Sequence, residues 1–246
     1  RSVGLGVMGL HSFFQQKSIP FGSVMSKVWN QKIFKHIQEK ADQASVKLAE
    51  ERGSCPDAEE YGIKERFSNK TAIAPTASIS VICGGASPGI EPIAANSYTH
   101  KTLSGSFNVR NKYLAKILEK HGKNDDETWS TITTNQGSVS HLNFLTDIEK
   151  DTFKTAFEID QRWIVELGAD RTPNISQAQS INVFVPADIH KKDLHQIHFQ
   201  AWKKGLKSLY YCRSKSIQRA ENVNTGSSTD VTKNVYKANK ESTNED

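Results

Sequence analysis

The sequence predicts an α/β fold with mostly parallel strand pairing. Apolar residues recur at helical spacing in four stretches, β-prone segments fall between them, and the two kinds alternate along the chain rather than segregating. The 246 residues include 4 Trp and 11 Phe, enough for a sizeable packed core.

The elements follow in chain order. Val24 to Glu51 reads as a long helix, with Val24, Val28, Ile33, Ile37, Ala41, Ala44 and Leu48 at intervals of three to five and Gly53 at its stop. Thr71 to Ala74 is a short strand, and Ile79 to Cys83 reads as a second. Asn111 to Lys120 is a shorter helix carrying Leu114, Ile117 and Leu118, ended by Gly122. A third helix starts at Thr146 or Asp147, either of which can cap it, and runs through Phe153, Phe157, Trp163, Ile164 and Leu167 to Gly168. Ser180 to Val185 is a strand. A fourth helix follows Pro186, with Asp188 as its cap and Leu194, Ile197, Ala201, Trp202 and Leu206 on one side. Ser208 to Tyr211 is the last strand. Residues 1–221 form the folded part. Asn222 to Asp246, rich in Asn, Ser, Thr, Lys and Glu, reads as a flexible tail.

Composition removes several classes of function. No run of eighteen apolar residues is present, so no membrane-spanning helix is predicted. Cys55, Cys83 and Cys212 lie far apart and form no CxxC, which argues against a disulfide scaffold or a cysteine-built zinc site and for a reducing, cytoplasmic setting. The net charge is +5, compatible with nucleic acid, phosphorylated small molecules or an acidic protein. Eight Lys or Arg fall between Lys191 and Arg219 against one acid, Asp193. They read first as a solvated face; the less favoured rival is a basic nucleic-acid-binding module, whose affinity would fall steeply with salt. The chain opens on Arg1 and falls directly into patterned sequence, as expected of a piece of a longer polypeptide.

Gly4-Leu-Gly6-Val-Met-Gly9 matches the G-x-G-x-x-G dinucleotide fingerprint. That fingerprint needs a strand before it and an acidic residue about twenty positions on. No strand is legible ahead of Gly4, and no Asp or Glu occurs between Gly9 and Glu39. The glycines are read instead as small residues that let a helix start pack closely on neighbouring backbone.

Two segments carry chemistry. Pro75, Thr76, Ala77, Ser78, Ile79 and Ser80 follow a short strand and are mostly small or hydroxyl-bearing. Backbone N–H groups there can approach an anion, and a helix opening at that point would favour phosphate. By pattern alone many βα turns look the same. Glu91, in Gly84 to Pro92, reads as a helix-end or ion-pair carboxylate. The second segment sets Tyr210 and Tyr211 side by side. Strand aromatics are ordinary, but two phenols in contact can pass an electron and a proton in steps. Successive strand residues point to opposite faces, so a coupled pair requires a strand end or a local irregularity.

Taken together, Pro75-Thr-Ala-Ser-Ile-Ser80, Ser87-Pro-Gly-Ile-Glu-Pro92, Lys101-Thr-Leu-Ser-Gly105 and Ala201-Trp-Lys-Lys-Gly-Leu-Lys-Ser-Leu-Tyr-Tyr211 resemble the C-terminal part of the large subunit of class I ribonucleotide reductases. The likeness spans roughly residues 1–219, and Gly4 to Gly9 fits the opening of a helix in that family's barrel domain. The resemblance implies the later portion of a ten-stranded α/β barrel acting on ribonucleoside diphosphates. It implies that Pro75, Thr76, Ala77, Ser78, Ile79 and Ser80 bind the substrate diphosphate. It gives Tyr210 and Tyr211 the transfer of a radical from a metal-containing small subunit to a cysteine inside the barrel.

The resemblance further implies that the radical cysteine loop, the reducible cysteine pair and the regulatory nucleotide sites come from the remainder of the large subunit, in cis or as a separate chain. Thioredoxin or glutaredoxin would be the reductant, this chain would hold no cofactor or metal of its own, and alone it would be inactive. The family's C-terminal cysteine pair has no counterpart in Lys240 to Asp246. The adenosylcobalamin-dependent reductases are the alternative within the family, and the tyrosine pair favours class I.

Overall fold

The computed structural model describes residues 1–102 and 105–214. In chain order these form strand β1 (Ser2–Leu5), helices α1 (Leu10–Gln16), α2 (Val24–Arg52) and α3 (Pro56–Glu60), strand β2 (Asn69–Thr71), helix α4 (Ala77–Ile82) and strands β3 (Ser97–Thr102) and β4 (Gly105–Arg110). Helices α5 (Lys112–Lys120), α6 (Asp126–Thr134), α7 (Asp147–Thr152) and α8 (Gln161–Arg171) follow, then strand β5 (Val183–Val185), helix α9 (Lys191–Lys203) and strand β6 (Cys212–Ser214). The segment read as a flexible tail, 222–246, lies outside the described residues.

Parallel pairing organises the site. β1 pairs with β2 and β5 with β6, both in parallel, and a single parallel bridge between Ile73 and Gln179 links the two pairs. The bonds run on across that link. Ala72 N–H donates to the Leu5 carbonyl at 3.0 Å, Ile73 N–H to Ala178 at 3.1 Å and Tyr210 N–H to Ile181 at 2.8 Å. The result is an arc in the order β1, β2, β5, β6, with helices between successive strands, as in a stretch of an α/β barrel wall. β3 and β4 form a separate antiparallel hairpin, Ser97 opposite Arg110 and Thr102 opposite Gly105.

Helix α2 keeps its predicted length but not its predicted face. Its buried residues are Ser26, Asn30, Phe34, Ser45 and Ala49, while Val24 and Val28 are exposed. Specific bonds explain the choice: Asn30 donates to the Leu167 carbonyl at 2.9 Å and accepts from buried Arg171 at 2.8 Å. The guanidinium of Arg171 also donates to Gln179 at 2.6 Å and lies over the Phe34 ring. A buried cation needs such partners, and they outrank the apolar row in orienting the helix.

The predicted third helix is two helices. α7 ends at Thr152 and α8 begins at Gln161, because the residues between serve two cores. Phe153 packs with Leu114, Leu118 and Trp129, whereas Ile164 and Leu167 pack with Phe14, Ile73 and Ile181. Asp160 recaps the chain, accepting from Arg162 N–H at 3.0 Å. Thr146 caps α7 with a reciprocal Glu149, so of the two candidates Thr146 is the cap. The fourth helix starts at Lys191, capped by His190 rather than Asp188. The last strand forms at Cys212–Ser214 rather than at Ser208 to Tyr211.

Ile79 to Cys83 is not a strand but lies in and just after α4, with Ile79 and Ile82 exposed. Thr76 adopts the left-handed region at φ 52° and Gly84 at φ 79°, so reversals at both ends leave room for one and a half helical turns only. β-branched residues favour strands where a sheet neighbour exists, and the arc has none to offer here.

Candidate functional site

A cavity of about 380 Å³ opens where α4, the Gly84–Pro92 segment and the end of the arc meet. Pro75, Ala77, Ser80, Glu91, Phe184 and Arg213 are among its walls. The sequence folds this way because three glycines allow it. Gly89, at φ 47°, sits where a Cβ would come within 2.9 Å of the Ala74 carbonyl, so only glycine lets the two loops touch. Its N–H donates to Thr76 Oγ1 at 2.7 Å, pinning the turn. Gly84 and Gly85 close α4 with positive φ.

At the turn itself the Ser80 hydroxyl donates back to the Ala77 carbonyl at 2.8 Å, and Ser80 is buried. Ala77, Ser78 and Ile79 occupy the exposed first turn of α4, where N–H groups have no intrahelical partner. Of the six predicted residues, Pro75, Ala77 and Ser80 line the cavity, whereas Thr76, Ser78 and Ile79 do not; Thr76 and Ser80 hold the loop.

The glycine fingerprint has a different role. β1, which the sequence did not show, runs into it and ends at Leu5 inside the motif, and α1 follows it. The N-terminal amides of α1 are nevertheless taken: Gly9 N–H donates to the Ser87 carbonyl at 2.8 Å, Leu10 N–H to Gly89 at 3.3 Å and Ser12 N–H to Ser87 Oγ at 3.1 Å. A phosphate would have to displace the cavity's own loop. Gly6 packs on the backbone just after β2, where a Cβ would come within 2.4 Å of the Ala72 carbonyl. Close backbone packing is what these glycines serve.

Tyr210 and Tyr211 lie just before β6, at the strand end that a coupled pair requires. The rings stand 4.1 Å apart between centroids at 51°, and Tyr210 Oη donates to Tyr211 Oη at 3.4 Å. Hydrogen bonding to Tyr211, with its charge repulsion, holds the Tyr210 phenol above its ordinary range. Both side chains are about half exposed. Arg213 lies 5.8 Å from the Tyr211 ring centre.

Glu91 is buried and is neither a helix end nor, among the described residues, a contact ion pair. Its Oε1 accepts from Asn182 Nδ2, and Asn182 Oδ1 accepts the Tyr211 N–H at 2.9 Å. Burial pushes the Glu91 carboxyl up to about 7, opposed by the Arg213 charge and the Asn182 bond. Sequence reasoning did not single out Asn182. Its signal was one polar residue inside Ile-Asn-Val-Phe-Val, a buried amide in an otherwise apolar strand. Cys83 and Cys212 are exposed and unpaired, and Cys55 is buried. Among the described residues no group of three or more His, Cys, Asp or Glu gathers as metal ligands, and no helix is long and apolar enough to cross a membrane.

The chain is 48% identical over 229 residues to the ribonucleoside-diphosphate reductase large subunit of Invertebrate iridescent virus 6, covering 92% of this chain and 24% of that protein. It is 42% identical over 226 residues to the large subunit of Invertebrate iridescent virus 3, covering 91% and 36%. It therefore spans about a quarter to a third of these relatives. Among solved structures the Actinobacillus ureae class Id ribonucleotide reductase alpha subunit superimposes with a TM-score of 0.81 at 40% identity, covering 88% of this chain and 39% of that one. The family profile "Ribonucleotide reductase, barrel domain" matches residues 1–65 and 57–212. A match of that extent, on an arc of parallel strands joined by helices, places this chain in the ribonucleotide reductase large-subunit family as part of its barrel domain.

Proposed function

We propose that this chain forms part of a large subunit that reduces ribonucleoside diphosphates to deoxyribonucleotides by radical chemistry in the cytoplasm. Pro75, Thr76, Ala77, Ser78, Ile79 and Ser80 bind the substrate diphosphate, with the amides of the first turn of α4 and the Ser78 hydroxyl facing the phosphates. Thr76 and Ser80 shape that turn. Tyr210 and Tyr211 carry the radical inward from a metal-containing small subunit, each phenol giving up an electron and a proton as the hole passes. The cysteine that takes the ribose 3′-hydrogen and the cysteine pair that supplies electrons come from the rest of the large subunit. Thioredoxin or glutaredoxin renews that pair.

The observation that carries this reading is the close, hydrogen-bonded contact of two adjacent tyrosines at a strand end, beside the cavity walled in part by the small-residue turn. A nucleic-acid-binding module has no use for a phenol pair so arranged, and a reductase that makes its radical locally has no need of one.

The test is nucleoside diphosphate reduction by the full-length large subunit with its small subunit. Ser78→Ala removes one donor to a charged group, and such a bond contributes roughly 1.5–3 kcal/mol. The KM for diphosphate should rise about tenfold or more with kcat held. An unchanged KM would remove Ser78 from the phosphate site.

A further inference from the structure

Behind the tyrosine pair lies a buried carboxyl with no part in the chemistry just proposed. Glu91 is 7% exposed and Asn182 1% exposed. Two main-chain bonds already set the strand register here, Tyr210 N–H to the Ile181 carbonyl and Val183 N–H to the Tyr211 carbonyl. The Tyr211 N–H between them points at a side chain, Asn182 Oδ1. An asparagine amide has an oxygen end and a nitrogen end. If Asn182 flipped, its NH₂ would meet the Tyr211 N–H donor to donor, and a partly buried donor would lose its acceptor. What holds the amide the right way round is the acceptor at its other end, Glu91 Oε1.

Glu91 is tied in turn to the phosphate-side loop. Two residues earlier, Gly89 N–H donates to Thr76 Oγ1 at 2.7 Å, and Glu91 N–H donates to the Pro88 carbonyl at 2.9 Å. The path from the turn at Thr76 to the backbone of Tyr211 therefore runs through one short loop, one carboxyl and one amide.

The geometry points to Glu91 as a positioning residue for the tyrosine pair: by orienting Asn182 it holds the Tyr211 backbone where the rings of Tyr210 and Tyr211 meet, and it joins that position to the turn at Thr76. The inference rests on the relay reading for its catalytic consequence, though not for its structural content. Ionised Glu91 makes the stronger, charge-assisted bond to Asn182, and its carboxyl titrates at about 7. Arg213 on β6 is the charge that acts on it, and Arg110 on β4 lines the same cavity.

The test uses the full-length large subunit with 3-fluorotyrosine at position 211, read by ¹⁹F NMR, and turnover with the small subunit. The fluorine signal should move through a midpoint near pH 7. Glu91→Gln, which keeps a carbonyl for Asn182 but cannot ionise, should abolish that step and keep most of kcat. Glu91→Ala should lower kcat about tenfold with KM for diphosphate within about twofold. A step near pH 7 that persists in Glu91→Gln, or wild-type turnover in Glu91→Ala, overturns the inference. Should Glu91→Ala fail to fold, the Glu91→Gln titration still decides. Full turnover in Tyr210→Phe would instead sink the relay reading, while the fluorine titration would still report whether Glu91 governs Tyr211.

Discussion

The phenol oxygens of Tyr210 and Tyr211 lie 3.4 Å apart, although a regular strand would send the two side chains to opposite faces. The strand begins one residue later, at Cys212, and the irregular backbone before it turns both rings to one side. Main-chain bonds to Ile181 and Val183 secure the flanks. A contact of this kind is built by tertiary pairing with β5.

Removing either hydroxyl should therefore stop transfer without disturbing the fold. Tyr210→Phe and Tyr211→Phe are each expected to reduce nucleoside diphosphate turnover by about 100-fold or more, equivalent to roughly 3 kcal/mol in the barrier. Both side chains are half exposed, so the melting temperature should shift by no more than about 1 °C. A variant that turns over normally would remove that tyrosine from the relay.

Gly6 tests the packing role of the glycine fingerprint. A Cβ there would come within 2.4 Å of the Ala72 carbonyl, a backbone atom that cannot move without breaking the pairing of β1 with β2. Gly6→Ala should cost about 2–3 kcal/mol by overpacking, measured by denaturant unfolding. Gly62 has open space around it but a φ of 65°, so alanine there should cost only about 1 kcal/mol of backbone strain, without the clash.

The cap of α7 gives a sharper comparison. Thr146 Oγ1 accepts from Glu149 N–H at 3.3 Å, and Glu149 Oε2 accepts from Thr146 N–H at 2.9 Å. Thr146→Ala should destabilise the fold by about 1 kcal/mol. Asp147→Ala, which removes only a charge from the first turn, should cost a few tenths. Equal effects of the two substitutions would contradict the assignment.

His11 should make the fold sensitive to acid. The ring is buried, its Nδ1 accepts from Ile93 N–H at 3.0 Å, and it meets Phe21 edge-on. Burial lowers its pKa from 6.5 to about 3. Between those values the unfolded chain binds a proton that the folded chain refuses. Stability is therefore complete above about pH 6.5 and falls as the pH drops towards 3, by at most roughly 4–5 kcal/mol. His11→Gln, whose side-chain oxygen can take the Ile93 N–H, should flatten the melting temperature against pH over that window. An unchanged slope would show that other groups carry the acid response.

Local signals determined much of this protein from sequence alone. The length of α2, the span of α5 and the strand at Val183–Val185 follow from spacing, capping chemistry and β-branched runs, which act over a few residues, and the start of α7 was narrowed to Thr146 or Asp147. The small-residue turn at Pro75 to Ser80 and the Tyr-Tyr pair stood out locally only as candidates, and their proposed roles came from the combination of matched segments. Only tertiary structure decided the rest. The buried face of α2 was set by Arg171, 141 positions from Asn30. The break between α7 and α8 was set by two cores competing for neighbouring residues. Ile79 to Cys83 became helix because reversals at Thr76 and Gly84 left it no strand to pair with. Asn182 became part of the site only when folding set Glu91 against one end of its amide and Tyr211 against the other. Contacts between residues distant in sequence carry their energy only once the chain has closed, and no local pattern records them in advance.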